Sequence, residues 1–209
     1  MIIGDPEKEV HAHFVSADQL TGGRLAGEYL WAKGHREMAA MTGGPYSIDS
    51  HLRLAGFQKA LREKGVELDT GSILCGEFQE DKAAAAFEGF LKKKRKFSAV
   101  FCLNDTMAYG VIKKLREFGL RCPDDISVMG FDDNQNAAIF KPPLTTIRIP
   151  LYGVAKEGTR KLIRFLEGKA RNDFFGRQTL LPVEVIPRQS VRTLNRGTAA
   201  RRDLESSEA

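Results

Sequence analysis

No run of apolar residues in this 209-residue sequence approaches the length needed to span a membrane. The opening residues, Met1-Ile2-Ile3-Gly4-Asp5-Pro6, lack the basic start and long apolar stretch of a secretory signal. Cysteine is sparse. Cys75, Cys102 and Cys122 stand far apart, in no metal-binding spacing, and an odd, scattered set suits a reducing compartment. The cytoplasm is therefore the expected location. A nucleotide fingerprint is missing too, since Gly22-Gly23 and Gly27 do not have its spacing and no suitable acid follows them. No Ser-His or Cys-His arrangement supplies a nucleophile and its base, so an enzyme is not expected and no cofactor is implied.

What is present is ordinary for a globular protein with a sizeable core: 42% hydrophobic and 28% charged residues. The formal net charge of +5 lies largely in Lys92-Lys93-Lys94-Arg95-Lys96 and in the C-terminal arginines. The lysine-rich cluster follows Phe87, Phe90 and Leu91, an apolar helical face, so it reads as a solvated helix end rather than a nucleic-acid patch.

Short apolar runs alternate with helical patterns, which predicts βα units around a parallel sheet. Strands are expected at Val10 to Val15, Met38 to Met41, Ser72 to Cys75, Ala99 to Leu103, Ser127 to Met129, Thr145 to Ile149 and, as one final strand, Gln178 to Ile186. Helices are expected from Asp18 or Thr21 through Trp31, after a cap at Asp49 or Ser50 to Gly65, from Asp81 to Leu91, from Asn104-Asp105 through Phe118, and from Leu151 to Leu166. The residues from Thr193 to Ala209 hold little apolar material and read as a disordered tail.

In such a sheet the strand ends at Gly43-Gly44, Gly76 to Phe78, Asn104-Asp105 and Asp132-Asp133 fall on one edge. A concave site lined by Arg53, Phe78, Asn104 and Asp132 follows. Carboxylate, amide and guanidinium groups match the hydroxyls of a polyol, and an aromatic ring can cover the apolar face of a sugar. Plainer readings stand beside these. Asp105 reads as a helix cap and Asp133 as a loop cap. Phe78 is either a core plug or a stacking platform, and Cys102 reads as core. His11 and His13 share a strand face without a third metal ligand, so no metal site is expected.

Eight segments in order resemble the LacI/GalR family of sugar-responsive transcription regulators, from about Asp18 to Ser190. They are Gly34-His35-Arg36, Arg53-Leu54-Ala55-Gly56-Phe57, Gly76-Glu77-Phe78, Asn104-Asp105-Thr106-Met107-Ala108, Gly130-Phe131-Asp132-Asp133, Leu144-Thr145-Thr146, Leu180-Leu181-Pro182 and Arg188-Gln189-Ser190. The resemblance implies an α/β fold, a parallel-sheet βα sandwich of the periplasmic-binding-protein-like type I. Its C-terminal subdomain is expected complete and its N-terminal subdomain mostly absent. The implied division is 1–17 as a remnant of the N-terminal subdomain, 18–147 as the effector-binding subdomain, 148–179 as a crossover and helix of the N-terminal subdomain, 180–192 as the last strand or strands of the C-terminal one, and 193–209 as tail.

By the same resemblance Arg53, Asn104 and Asp132 contact the effector, Phe78 stacks on it, and Asp49 and Tyr46 are further candidates. The implied role is the effector-sensing domain of a DNA-binding regulator, a repressor, that binds a sugar or related small polyol. The expected partners are that small molecule and a second chain, in a homodimer or a heterodimer with an intact relative. DNA would be reached only through a helix-turn-helix headpiece that nothing in this sequence resembles, and no membrane is involved. A sugar-binding protein of a transport system, an enzyme on the same scaffold and a non-functional truncated fragment are the alternatives.

Overall fold

The structure, a computed structural model, describes residues 2–3, 14–169 and 178–194. It contains two sheets. The smaller one has three parallel strands in the order β1-β2-β8: β1 (Ile2–Ile3), β2 (Phe14–Ala17) and β8 (Gln178–Leu181). The larger has six, in the order β4-β3-β5-β6-β7-β9: β3 (Met38–Thr42), β4 (Ile73–Cys75), β5 (Ala99–Cys102), β6 (Ser127–Asp132), β7 (Thr145–Arg148) and β9 (Glu184–Ile186). All its neighbours are parallel except β7 and β9.

Among the described residues five α-helices connect these strands: α1 (Gln19–Ala32), α2 (Ile48–Arg62), α3 (Glu80–Lys92), α4 (Asp105–Glu117) and α5 (Leu151–Leu166). α1 packs on α2 and α3 on α4. From β3 the chain moves outward to β4, and from β5 it moves the opposite way to β6. With right-handed crossovers that reversal puts α2 and α4 on opposite faces, and it opens a crevice at the carboxyl ends of β3 and β5. Covered on both faces, β3 and β5 are buried along their whole length, which is why they read as unbroken apolar runs. Phe57, Phe87, Phe90, Phe101 and Phe131 are fully buried around them, with the Phe101 ring 4.9 Å from Phe57.

Several expectations need correction. The single strand at Gln178 to Ile186 is two strands in different sheets, because Pro182, which has no N–H to donate, breaks the ladder between them. The cap of α2 is Ser47, whose hydroxyl accepts from the Ser50 N–H at 3.2 Å, and not Asp49 or Ser50. α5 lies against the smaller sheet, with Val154 and Gly158 buried, while Leu151 (68%) and Leu166 (74%) stay exposed. Thr193 and Leu194 continue the ordered chain, the Leu194 N–H donating to the Lys33 carbonyl at 2.7 Å. The rest of the expected tail, His11, His13 and the start of the strand at Val10 lie outside the described residues.

His35 of the Gly-His-Arg segment is fully buried, 2.9 Å from Ser98 Oγ and 3.2 Å from the Arg192 carbonyl. Burial pushes its pKa down to about 4, so it is neutral and fastens the end of α1 to the chain after β9. In the basic cluster Lys92 pairs with Glu88 at 2.7 Å and Arg95 pairs with Asp69, as a solvated helix end should. No described helix is long and apolar enough to cross a membrane.

Candidate functional site

Arg53 is the centre of the carboxyl edge. It projects from α2, and it is there because α1 and α2 touch backbone to backbone. A Cβ on Gly23 would collide with the Arg53 carbonyl, and one on Gly56 with the Leu20 carbonyl. The Gly22-Gly23 pair is therefore a packing device. The Arg53 side chain is pulled under the crevice, with the residue only 5% exposed. Its Nε donates to Gln19 Oε1 at 2.8 Å, and its Nη1 donates to the Leu103 carbonyl at 2.6 Å and to Asp132 Oδ1 at 3.2 Å. Its Nη2 lies 3.8 Å from Asp49 Oδ2, and the guanidinium carbon sits 4.0 Å from the centre of the Phe131 ring. Burial lowers its pKa, and Asp132 and Asp49 oppose the shift.

Asp132 ends β6 with its side chain 33% exposed. Burial pushes its carboxyl up to about 6, against the pull of Arg53 and with added repulsion from Asp49. Its backbone is in the left-handed region (φ 112°), as are Asp133 (φ 56°), Glu77 (φ 50°) and Phe78 (φ 58°). Non-glycine residues reach that region at a cost of about 1–3 kcal/mol each, and such strain concentrates at binding and catalytic sites. Of five such residues among those described, only Lys94 lies elsewhere.

Phe78 is half-buried, and its ring lies against Gly43, where any Cβ would strike it. It is packed against the apolar core while staying partly exposed. Asn104 caps α4, its Oδ1 accepting from the Met107 N–H at 2.8 Å, while its Nδ2 makes a long 3.4 Å contact to the Phe78 carbonyl. The cap expected at Asp105 is thus Asn104. Asp105 is instead fully buried and accepts from Thr146 Oγ1 at 2.6 Å and from the Asn134 N–H at 2.8 Å. Burial raises its pKa to about 7. It ties the loop after β6 to β7, and Tyr109 holds the same loop through a 2.7 Å hydrogen bond to Asn134 Oδ1.

Asp133 is no loop cap. It accepts from Arg148 Nε at 2.7 Å and from Arg188 Nη2 at 2.6 Å, with its side chain 8% exposed. The Arg-Gln-Ser segment owes its form to this and to Ser190, which accepts from the Thr145 N–H at 2.8 Å and donates to the Val128 carbonyl at 2.6 Å.

The structure thus brings Arg53, Asp132, Asp49, Asn104 and Phe78 to one edge. It leaves Tyr46 88% exposed on the loop before α2. Sequence reasoning missed Gln19, the acceptor that orients Arg53. Its position directly after the Asp18 cap, at the carboxyl end of β2, was the available signal. A hollow of about 310 Å³ opens beside Gln19, lined by Asp18, Thr21, Leu52 and Gln178 among others. Among the described residues no group of three His, Cys, Asp or Glu side chains is placed to hold a metal. The edge offers fixed carboxylates, a buried cation and an aromatic wall. That suits recognition of a small polar molecule.

Residues 28–191 match the periplasmic binding protein-like domain family. The HTH-type transcriptional repressor PurR of Vibrio atlanticus (strain LGP32) is 36% identical over 174 residues, covering 83% of this chain and 51% of that protein. The chain thus spans about half the length of the curated relatives it matches. Among solved structures, the Escherichia coli transcriptional repressor ascG superposes with a TM-score of 0.81 at 32% identity, over 92% of this chain and 69% of that one. A LacI family transcriptional regulator from Enterococcus faecium with bound ribose gives a TM-score of 0.81 at 27% identity, over 90% and 70%.

Proposed function

This chain belongs to the periplasmic binding protein-like domain family, as an effector-binding domain of the LacI/GalR type, and from that premise we propose that it senses a sugar or related small polyol for a transcriptional repressor. The observation that carries the reading is the pair of buried Arg53 and crevice-facing Asp132 at the point where the strand order reverses, beside the Phe78 ring. A guanidinium and carboxylate fixed against each other present directional, charge-assisted hydrogen bonds to hydroxyls, and the ring covers an apolar sugar face. The sugar-bound Enterococcus relative supports the ligand class.

In this reading the domain is a sensor and not a catalyst, works in the cytoplasm in a dimer, and meets DNA through a helix-turn-helix of the kind its relatives' names record. The effector acts by binding one arrangement of the two sheets better than another, since a ligand shifts an equilibrium only by its differential affinity. Thermal unfolding with a panel of sugars tests it. A cognate sugar at a hundred times its Kd stabilises by about 2.7 kcal/mol. For a chain of this size that is a rise in Tm of roughly 5–11 °C. Arg53→Ala and Asp132→Ala should abolish the rise. A melt indifferent to every sugar refutes the reading.

A further inference from the structure

Two consecutive residues at the end of β6 are held in a strained backbone, Asp132 at φ 112° and Asp133 at φ 56°. Backbone stays in the left-handed region only where its surroundings over-determine it. Here the Asp133 side chain supplies the hold. It is 8% exposed and is shared by two arginines that differ in kind. Arg188, with its side chain 16% exposed, also donates through Nη1 to the Leu144 carbonyl at 2.8 Å, and its N–H donates to Thr145 Oγ1 at 2.9 Å. It is part of the scaffold around β7. Arg148 is 47% exposed and reaches in two directions. Its Nε donates to Asp133 Oδ2 at 2.7 Å, and its Nη1 donates to Glu184 Oε1 at 3.1 Å.

Arg148 is the last residue of β7, in register with Asp132 on one side and with Glu184 on the other. The Asp132 carbonyl also accepts from the Ile149 N–H at 3.3 Å. The chain leaves for the smaller sheet at Ile149-Pro150 and returns from it at Pro182-Val183. One guanidinium therefore joins the roots of both passages to the residue beside Asp132. A cross-strand ion pair on an edge strand would explain Arg148 and Glu184 alone, and such exposed pairs contribute little to stability. It does not explain why Nε is bound to a buried carboxylate next to the crevice.

We propose that Arg148 is a positioning residue: through Asp133 it fixes Asp132 at the crevice, and through Glu184 it makes that placement depend on how the chain passes between the sheets. A shift of either passage draws the guanidinium from Asp133. The strained backbone then relaxes and carries the Asp132 carboxylate away from Arg53. The carboxylate is thus presented in one arrangement of the two sheets and withdrawn in another. This inference rests on the reading of Asp132 as an effector contact.

The test is a carbon-13 NMR titration of the Asp132 carboxyl in the full chain, with no effector added, on wild type, Arg148→Gln, Glu184→Asp and Arg160→Gln. The charged groups around Asp132 are Arg53 and Asp49 of α2, Asp105 of α4, and Arg148 and Asp133 beside it. Loss of the Arg148 cation acts by charge alone to raise the Asp132 midpoint. Release of the carboxylate into water lowers it toward the ordinary carboxylate range, so the sign separates the two roles. Glu184→Asp keeps its charge and shortens its reach. The expected result is a fall of roughly one pH unit or more in Arg148→Gln and a smaller fall in Glu184→Asp. Arg160→Gln, which removes an equally exposed arginine paired with Glu157 on α5, should leave the midpoint unchanged. A midpoint unchanged or raised in Arg148→Gln overturns the proposal. A fall there with none in Glu184→Asp overturns the link to the passages, and the proposal with it. Either failure leaves the sugar-sensing reading standing, because that reading is decided by the thermal panel of sugars.

Discussion

Asp132 and Asp105 are both acids whose pKa is raised by burial, to about 6 and about 7, and they do different work. Asp105 is sealed among Thr146, Asn134 and Gly130, where it bolts two strand ends together. Asp132 faces the crevice, with Arg53 and Asp49 the charged groups that act on it and Asp105 near by. Its folded value lies above its unfolded one. Its contribution to stability is therefore whole below about 4 and is lost as pH rises through about 6. Ligand recognition runs the other way, because the ionised carboxylate is the better acceptor. Effector affinity should rise several-fold between pH 5 and pH 7 and then level off. Calorimetry at fixed ionic strength across that range checks this, and affinity that falls with pH would contradict Asp132 as a carboxylate contact.

At the level of elements, the contact between α1 and α2 decides whether Arg53 reaches its partners. Gly23 and Gly56 let each helix rest on the other's backbone, and Gly27 sits 2.8 Å, by its ideal Cβ, from the Ala60 methyl. Gly56→Ala should therefore destabilise by about 1–3 kcal/mol or more, since backbone cannot give way as a side chain can. It should also weaken effector binding without touching any binding group. Gly65→Ala, at a φ of +74° with open space around it, should cost stability alone and leave affinity unchanged. Denaturant melts and calorimetry on the two variants separate these effects, and equal losses of affinity would refute the positioning role of the helix contact.

Across the whole molecule the two sheets differ in how much they bury. The main apolar cluster draws on α1 to α4 and the six-stranded sheet, and it includes no residue of β2, α5 or β8. Among the described residues, the smaller sheet and its helix bury Val15, Ala17 and Val154, and α5 leaves Tyr152, Ile163 and Leu166 exposed. Chain passes between the sheets at Ala17-Asp18, Ile149-Pro150 and Pro182-Val183. Local opening free energies follow apolar burial, so native-state hydrogen exchange should find β2, β8 and α5 opening more readily than β3, β5 and β6, by at least tenfold in protection. Uniform protection across both sheets would show one cooperative unit instead.

The alternation of strands and helices, the edge on which Arg53, Asn104 and Asp132 gather, and the LacI/GalR resemblance were all legible in the amino-acid order. Strand and helix periods, caps and strand-end residues act over a few positions, and eight motifs in sequence identify a family. Other features depended on groups distant in the chain. Asp132 meets Arg53 across 79 positions, and Asp105 meets Thr146 across 41. No local pattern tells that Asn104 would cap α4 so that Asp105 could turn inward, or that Tyr46 would stand in solvent. The split of the final strand at Pro182 arises from two sheets competing for neighbouring residues. Sequence determined which groups reach the edge, because that follows from local geometry. Only tertiary structure decided which are paired, which are buried and which acceptors remain open, because desolvation and hydrogen-bond partners come from the packing of the whole chain.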